Sequence, residues 1–228
     1  MIERALRVKR ENYDKNKEIN DGFYDKFILG KIHEQFGGKW RFIITGSAPL
    51  PLELGIETKL IFGCPIVEGY GMTEVGGASH CTNFQDNENG FAGGPVTPAK
   101  IKLVDVPELN YTKDTKTNDE VTPCGEICVK GPVVFSGYFL DKENTGKIFD
   151  KEGWIHTGDV GMVSTNQKKF KIIDRIKEIF KLIQGEYIAP SKLEMVYSKS
   201  EYVGQICVYG HSIKTYVIAI IIQKRMKL

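Results

Sequence analysis

Seven residues, Glu68 to Glu74 (E-G-Y-G-M-T-E), hold the densest set of chemically useful groups in the chain. Gly69 and Gly71 carry no Cβ, so backbone N–H groups here can approach a ligand closely. Tyr70 offers a flat ring, Thr73 a hydroxyl, and Glu74 a hard oxygen donor suited to Mg²⁺. Those are the parts needed to hold a nucleotide by base, phosphate and metal. The same residues also suit a glycine-rich turn in which Thr73 or Glu74 caps a helix. Seven residues alone leave both open.

The flanking elements favour a site. Trp40 to Thr45 (W-R-F-I-I-T) is expected to be a buried strand, left by the turn Gly46-Ser47-Ala48-Pro49. Pro49 and Pro51 suit the opening of a helix that runs through Leu52 to Phe62. Pro65 to Val67 is expected to form a second strand, which leads into the Gly69–Glu74 loop. A right-handed β-α-β crossover makes the two strands parallel, so both turns leave carboxyl ends on one sheet edge. Open α/β sheets bind ligands in the crevice there.

Upstream, residues 2 to about 19 read as a helix. Ile2, Ala5, Leu6 and Tyr13 lie on one side, with Arg4, Arg7, Lys9 and Arg10 opposite. A second helix spans Phe23 to Phe36, closed by Gly37-Gly38. From about Gly90 the texture changes to short strands at Ala99–Val106, Glu126–Lys130, Val133–Phe135, Trp154–Thr157 and Phe170–Ile173, mostly antiparallel. Asn110 to Thr122 is a polar surface excursion. Asp159 and Asp174, just past strand ends, suit Asx-turns. From Ile176 a strand over Glu178–Ile183, a turn over Gly185–Ala189 and a helix from Pro190 to Ser198 are expected. Strands at Val203–Tyr209 and Tyr216–Ile222 follow.

Composition narrows the function. The 228 residues are 41% hydrophobic and 26% charged, ordinary for a soluble globular protein. A net charge of +2 gives no support for a nucleic-acid partner. The five cysteines are odd in number and scattered, without a C-x-x-C pair, as expected of reduced intracellular thiols. No apolar run reaches the roughly 18–20 residues needed to span a bilayer. The charged first ten residues do not read as a signal peptide.

The motifs, in order, are I-T-G-S-A-P-L (Ile44–Leu50), E-G-Y-G-M-T-E (Glu68–Glu74) and K-L-V-D-V-P-E-L-N-Y (Lys102–Tyr111). There follow G-E-I-C-V-K-G-P-V-V-F-S-G-Y (Gly125–Tyr138), E-G-W-I-H-T-G-D (Glu152–Asp159) and the run Ile172–Glu194 with Q-G-E-Y-I-A-P-S-K. This ordered set resembles the adenylate-forming acyl-activating enzymes, and among them the long-chain fatty acyl-CoA synthetases. The resemblance covers nearly the whole chain.

The resemblance implies an α/β fold: the C-terminal part of a large parallel-sheet domain with an antiparallel β-rich subdomain, then the start of a small α+β domain. The implied boundaries are 1–173 for the large domain (α/β 1–89, β-rich 90–173), 174–177 for a hinge and 178–228 for the small domain. It implies a ligase that turns a long-chain fatty acid, ATP and CoA into acyl-CoA, AMP and pyrophosphate. Gly46, Ser47, Ala48, Gly69, Tyr70 and Gly71 would surround the base. Thr73 would bond the α-phosphate, Glu74 would hold Mg²⁺, Asp159 would accept the ribose hydroxyls and Arg175 would reach the ribose or phosphate. Lys177 would be the hinge, Lys181 would act near the site, and Gly185 and Glu186 would lie on the CoA loop. Gly76 and Gly77 would line the acyl pocket, and His156 receives no proton-transfer role. A membrane surface is an expected partner, through parts outside these residues.

Two of the family's features have no counterpart in the sequence. A Ser/Thr/Gly-rich phosphate loop upstream of Ile44 is one, and a late catalytic lysine, matched by neither Lys224 nor Lys227, is the other. The sequence therefore reads as an internal piece of such a synthetase, not fully active alone. Alternatives are a non-catalytic AMP-binding module and a ligase for another carboxylic acid.

Overall fold

The computed structural model of the chain describes residues 1–86, 90–117, 120–164 and 169–224. Lys227 and positions 118–119 of the polar excursion lie outside the described residues. The helices are α1 (Ile2–Asn16), α2 (Gly22–Phe27), α3 (Gly30–Gln35), α4 (Leu52–Phe62), α5 (Lys142–Ile148) and α6 (Pro190–Tyr197). The strands of the first half are β1 (Ile43–Thr45), β2 (Ile66–Tyr70), β3 (His80–Cys81), β4 (Gly94–Pro95), β5 (Lys100–Val104), β6 (Lys116–Thr117) and β7 (Glu120–Val121). Those of the second half are β8 (Cys124–Lys130), β9 (Ile155–Val163), β10 (Phe170–Arg175), β11 (Phe180–Lys181), β12 (Tyr187–Ile188), β13 (Val203–Gly210) and β14 (Val217–Gln223). They fall into two compact units. One comprises Met1–Ile101, Val129–Lys147 and Val163–Ile172; the other comprises Lys102–Cys128, Ile148–Met162 and Ile173–Leu228.

In the first unit, α1 packs on α4 through Tyr13, Ile56 and Leu60, with Leu6 and Ile19 against them. The buried stripe of α1 is Ala5, Lys9 and Tyr13, at i, i+4 and i+8. Lys9 is thus not on a solvated basic face as expected; it is 1% exposed and ion-paired with Asp25. A buried ammonium needs such a partner, and helical spacing outranks charge in setting the face. The expected second helix divides into α2 and α3 around Leu29, which is fully buried. Asp21 caps α2 by accepting from the Phe23 and Tyr24 N–H groups. Gly38, at φ +67°, returns its N–H to the His33 carbonyl and closes α3.

The β1–α4–β2 unit is present, and its strands are parallel with Ile43, Ile44 and Thr45 opposite Ile66, Val67 and Glu68. β2 runs further than expected, through Gly69 and Tyr70, because β3 pairs antiparallel with those residues. β1 is shorter and more open than expected. It lies at one end of the sheet β1-β2-β3-β4, and Ile44 is 68% exposed. Trp40 packs against Phe62, ring centroids 5.1 Å apart and planes tilted by 56°, instead of extending the strand. Val133–Phe135 is a turn and not the expected strand. The helix α5 was not expected, because K-E-N-T-G-K-I has no apolar period; the Asp141 side chain accepts from the Asn144 N–H at its start.

The second unit has its core in Ile127, Cys128 and Ile155, all fully buried, with Val160. Strand β9 lies between β8 and β10 in the sheet ordered β10-β9-β8-β5. It continues through Gly158 and Asp159, which therefore lie inside a nine-residue strand and not in a turn past its end. Likewise Asp174 and Arg175 close β10. The expected strand over 178–183 shrinks to Phe180–Lys181, paired with Tyr187–Ile188. Beyond it, α6 packs on the antiparallel hairpin β13–β14, and Glu194 accepts from the Val208 N–H at 2.8 Å.

Candidate functional site

Within the first unit, the two turns expected to converge are neighbours. A Cβ on Gly46 would lie 3.1 Å from the Gly69 carbonyl oxygen, so the exit of β1 rests on β2. Ser47 takes φ +70° in that exit. Gly71 is tighter still: a Cβ there would sit 1.7 Å from the Gly77 carbonyl oxygen. No other residue fits. Thr73–Val75 makes a short 3-10 turn after β2, and the Gly76 and Gly77 N–H groups fold back to Thr73 and Met72.

Thr73 is exposed and Glu74 half-buried on this turn. The Tyr138 hydroxyl donates to Glu74 Oε1 at 2.7 Å, which pushes the Tyr138 phenol above its ordinary range. The Phe135 N–H bonds the Glu74 carbonyl at 2.9 Å, so the segment around S-G-Y supports the turn. Tyr138 had no role in the sequence reading, although its motif was present. Glu74 fits a hard, partly hydrated cation: one carboxylate oxygen is held by a neutral hydroxyl, beside an exposed threonine.

Beneath Tyr70 lies His80, fully buried, with its ring 5.6 Å from Tyr70 and 4.5 Å from Phe170. Its Nδ1 meets the Ser79 hydroxyl at 3.0 Å, while Nε2 has no hydrogen-bond partner among the described residues. Burial lowers its pKa to about 4, so the ring is neutral at pH 7. Glu68 plays a structural part. Its carboxylate accepts from the Gly90 N–H at 2.7 Å, and burial raises its pKa.

Within the second unit, Asp159 is 8% exposed and its Oδ1 meets Arg175 Nε at 3.2 Å. These two expected site residues are brought together as an ion pair, one carboxylate buried and one guanidinium largely exposed. Gly158 before it has φ +73°, a conformation that favours glycine although the space beside it is open. The remaining expected residues of this unit lie between β10 and β12. Lys177 is exposed on the turn Ile176–Glu178. The Lys181 ammonium lies 5.0 Å over the Tyr187 ring, and Glu186 accepts from the Gln184 amide at 3.2 Å. Gly185 takes φ +95° in the tip of the β11–β12 hairpin, with its N–H on the Leu182 carbonyl.

Residues 1–139 match the AMP-binding enzyme family. The chain belongs to that family. It is 45% identical over 206 residues to the peroxisomal long chain acyl-CoA synthetase 7 of Arabidopsis thaliana, covering 90% of this chain and 29% of the relative. It is 42% identical over 203 residues to the human long-chain-fatty-acid–CoA ligase 1, covering 89% of this chain and 28% of the relative. The chain thus spans about three-tenths of the length of the curated relatives it matches. Among solved structures it is similar to the A domain of carboxylic acid reductase from Segniliparus rugosus, determined with AMP and a co-purified carboxylic acid. The TM-score is 0.71 at 31% identity, over 96% of this chain and 33% of that one. The O-succinylbenzoate CoA synthetase of Bacillus subtilis, determined with AMP, gives a TM-score of 0.68 at 26% identity, over 88% of this chain and 40% of that one.

One further cluster in this member of the AMP-binding enzyme family was not expected. Glu126, Cys128 and His156 place a carboxylate oxygen, a sulfur and a ring nitrogen within 4.8 Å of one another. The carboxylate is already engaged: Oε2 meets His156 Nδ1 at 2.7 Å and Oε1 accepts from the Gly158 N–H at 2.9 Å. The Cys128 thiol is pushed up to about 12, first by burial and then by the Glu126 charge, so it is a neutral thiol and not a thiolate ligand. The arrangement is a hydrogen-bonded brace. Among the described residues, no helix is long and apolar enough to cross a membrane. All five cysteines are free thiols.

Proposed function

We propose that this chain forms part of a ligase that activates long-chain fatty acids to acyl-CoA through an acyl-adenylate. The observation that carries the proposal is the 45% identity to a long-chain acyl-CoA synthetase across 90% of the chain. In the first step a carboxylate oxygen attacks the α-phosphorus of ATP and the bond to pyrophosphate breaks. In the second, the sulfur of CoA attacks the acyl carbon and the bond to AMP breaks.

The residues divide this work. Gly46, Ser47, Ala48 and Tyr70 would bound the base, with Gly69 and Gly71 giving close backbone approach. The exposed Thr73 hydroxyl would donate to the α-phosphate. Asp159, an acceptor with two oxygens, would take the ribose hydroxyls while Arg175 holds it in place. Glu74 would hold Mg²⁺, which when bound neutralises charge on the phosphate oxygens. Gly76 and Gly77 would face the acyl chain. Lys177 would serve as the hinge between domains 1–173 and 178–228, and Lys181, Gly185 and Glu186 would serve the CoA step. A reducing intracellular setting and contact with a membrane surface belong to the same reading.

Titration of AMP into the chain tests the nucleotide half. Asp159→Ala should weaken AMP binding by about tenfold or more, the loss expected for hydrogen bonds to a charged group. Equal affinity in the two proteins would contradict it.

A further inference from the structure

Asp159 sits at a break in the pleat. Along β9 the residues Asp159, Val160 and Gly161 are buried in succession, where a regular strand would alternate. The break begins at Gly158, whose φ of +73° lies outside the extended range of a regular strand. A buried N–H without a partner is costly, and here a side chain of the neighbouring strand β8 supplies the acceptor. Glu126 Oε1 accepts from the Gly158 N–H at 2.9 Å, and Oε2 takes His156 Nδ1 at 2.7 Å. One carboxylate therefore spans both sides of Thr157. That threonine is fixed as well: its hydroxyl donates to the Ile127 carbonyl at 2.8 Å and accepts from the Asp159 N–H at 3.1 Å.

We propose that Glu126 is a positioning residue for nucleotide binding: its carboxylate clamps His156 and Gly158 and so fixes where Asp159 presents its oxygens. The chemistry is specific to a carboxylate. Two acceptors are needed at once, on opposite sides of one residue, and an ionised carboxylate supplies both without any donor of its own. Because an acceptor faces Nδ1, the clamp also makes Nδ1 the protonated nitrogen of His156. Its Nε2 then faces Asp150 Oδ2 at 3.9 Å. Arg175, on Asp159 Oδ1 at 3.2 Å, holds the carboxylate from outside while the clamp holds its backbone from behind.

The proposal rests on the reading of Asp159 as the ribose ligand, and its test separates the two. AMP and 2′,3′-dideoxyadenosine monophosphate are titrated into the wild type, Asp159→Ala, Glu126→Ala and Glu126→Gln. Hydrogen exchange at the Gly158 amide is followed in the same proteins. The wild type should prefer AMP over the dideoxy nucleotide by about tenfold, and Asp159→Ala should lose that preference. Glu126→Ala should lose it too, with dideoxy affinity changed less than about twofold and with faster Gly158 exchange. A purely structural role for Glu126 would weaken both nucleotides together and overturn the positioning claim. Glu126→Gln keeps the volume and one acceptor, guards against misfolding of the alanine variant, and should fall between. Wild-type preference in both Glu126 variants, or unchanged Gly158 exchange, would overturn the clamp alone. No preference for AMP in the wild type would overturn the ribose reading and the positioning claim with it.

Discussion

At the scale of single residues, the chemistry of the candidate site rests on a few side chains whose surroundings fix their state. His80 is the clearest case. Buried against Phe170 and below Tyr70, it has a folded-state pKa of about 4 against an ordinary 6.5. Since the folded value is the lower one, the unfolded chain binds the extra proton between those values, and stability rises with pH through that window. The contribution is present above about pH 6.5 and is lost as pH falls toward 4. Between pH 7 and pH 5 the wild type should lose about 2 kcal/mol from this residue, and a His80→Leu variant should lack that part of the slope. Urea unfolding at the two pH values measures it; parallel profiles for the two proteins would contradict the burial argument. Glu74, Thr73 and Asp159 were visible as residue types, carboxylates and a hydroxyl in glycine-bearing motifs that suit a turn as well as a site. Tyr138 and Glu126 were not. Each is singled out only by the groups it bonds, and a bond between positions 64 residues apart, such as Tyr138 to Glu74, leaves no local pattern.

At the scale of elements, the parallel β1–α4–β2 unit was readable from its proline-opened helix and the apolar runs around it. What periodicity could not show was where each strand stops. β2 gains Gly69 and Tyr70 because β3 pairs with them, and β9 runs through Gly158 because Glu126 and Ile127 satisfy the irregular turn from the next strand. Such extensions depend on partners distant in sequence. Gly71, just past β2, and Gly158, within β9, should respond differently to substitution. Gly71→Ala places a Cβ 1.7 Å from a backbone oxygen and should prevent correct folding of the turn. Gly158→Ala meets open space and suffers only the left-handed conformation, a cost of about 1–2 kcal/mol. Chemical denaturation of the two variants separates them; similar midpoints would contradict the close approach at Gly71.

At the scale of the whole molecule, six ordered motifs carried the family where no single one could, and the match of residues 1–139 to the AMP-binding enzymes agrees. The α/β class followed from the same order of motifs. The arrangement into two compact units was less legible, since each is assembled from three stretches of sequence and no composition shift marks the joins. The central claim concerns the reaction: activation of a long-chain fatty acid at a site that includes Asp159. Its most direct test is ATP–pyrophosphate exchange by the protein that carries these residues, with a sixteen-carbon fatty acid, acetate and benzoate compared. Exchange should depend on the long-chain acid, exceed that with either small acid by at least about tenfold, and fall about a hundredfold in Asp159→Ala. Exchange driven equally by acetate or benzoate, or undiminished in Asp159→Ala, would contradict the account.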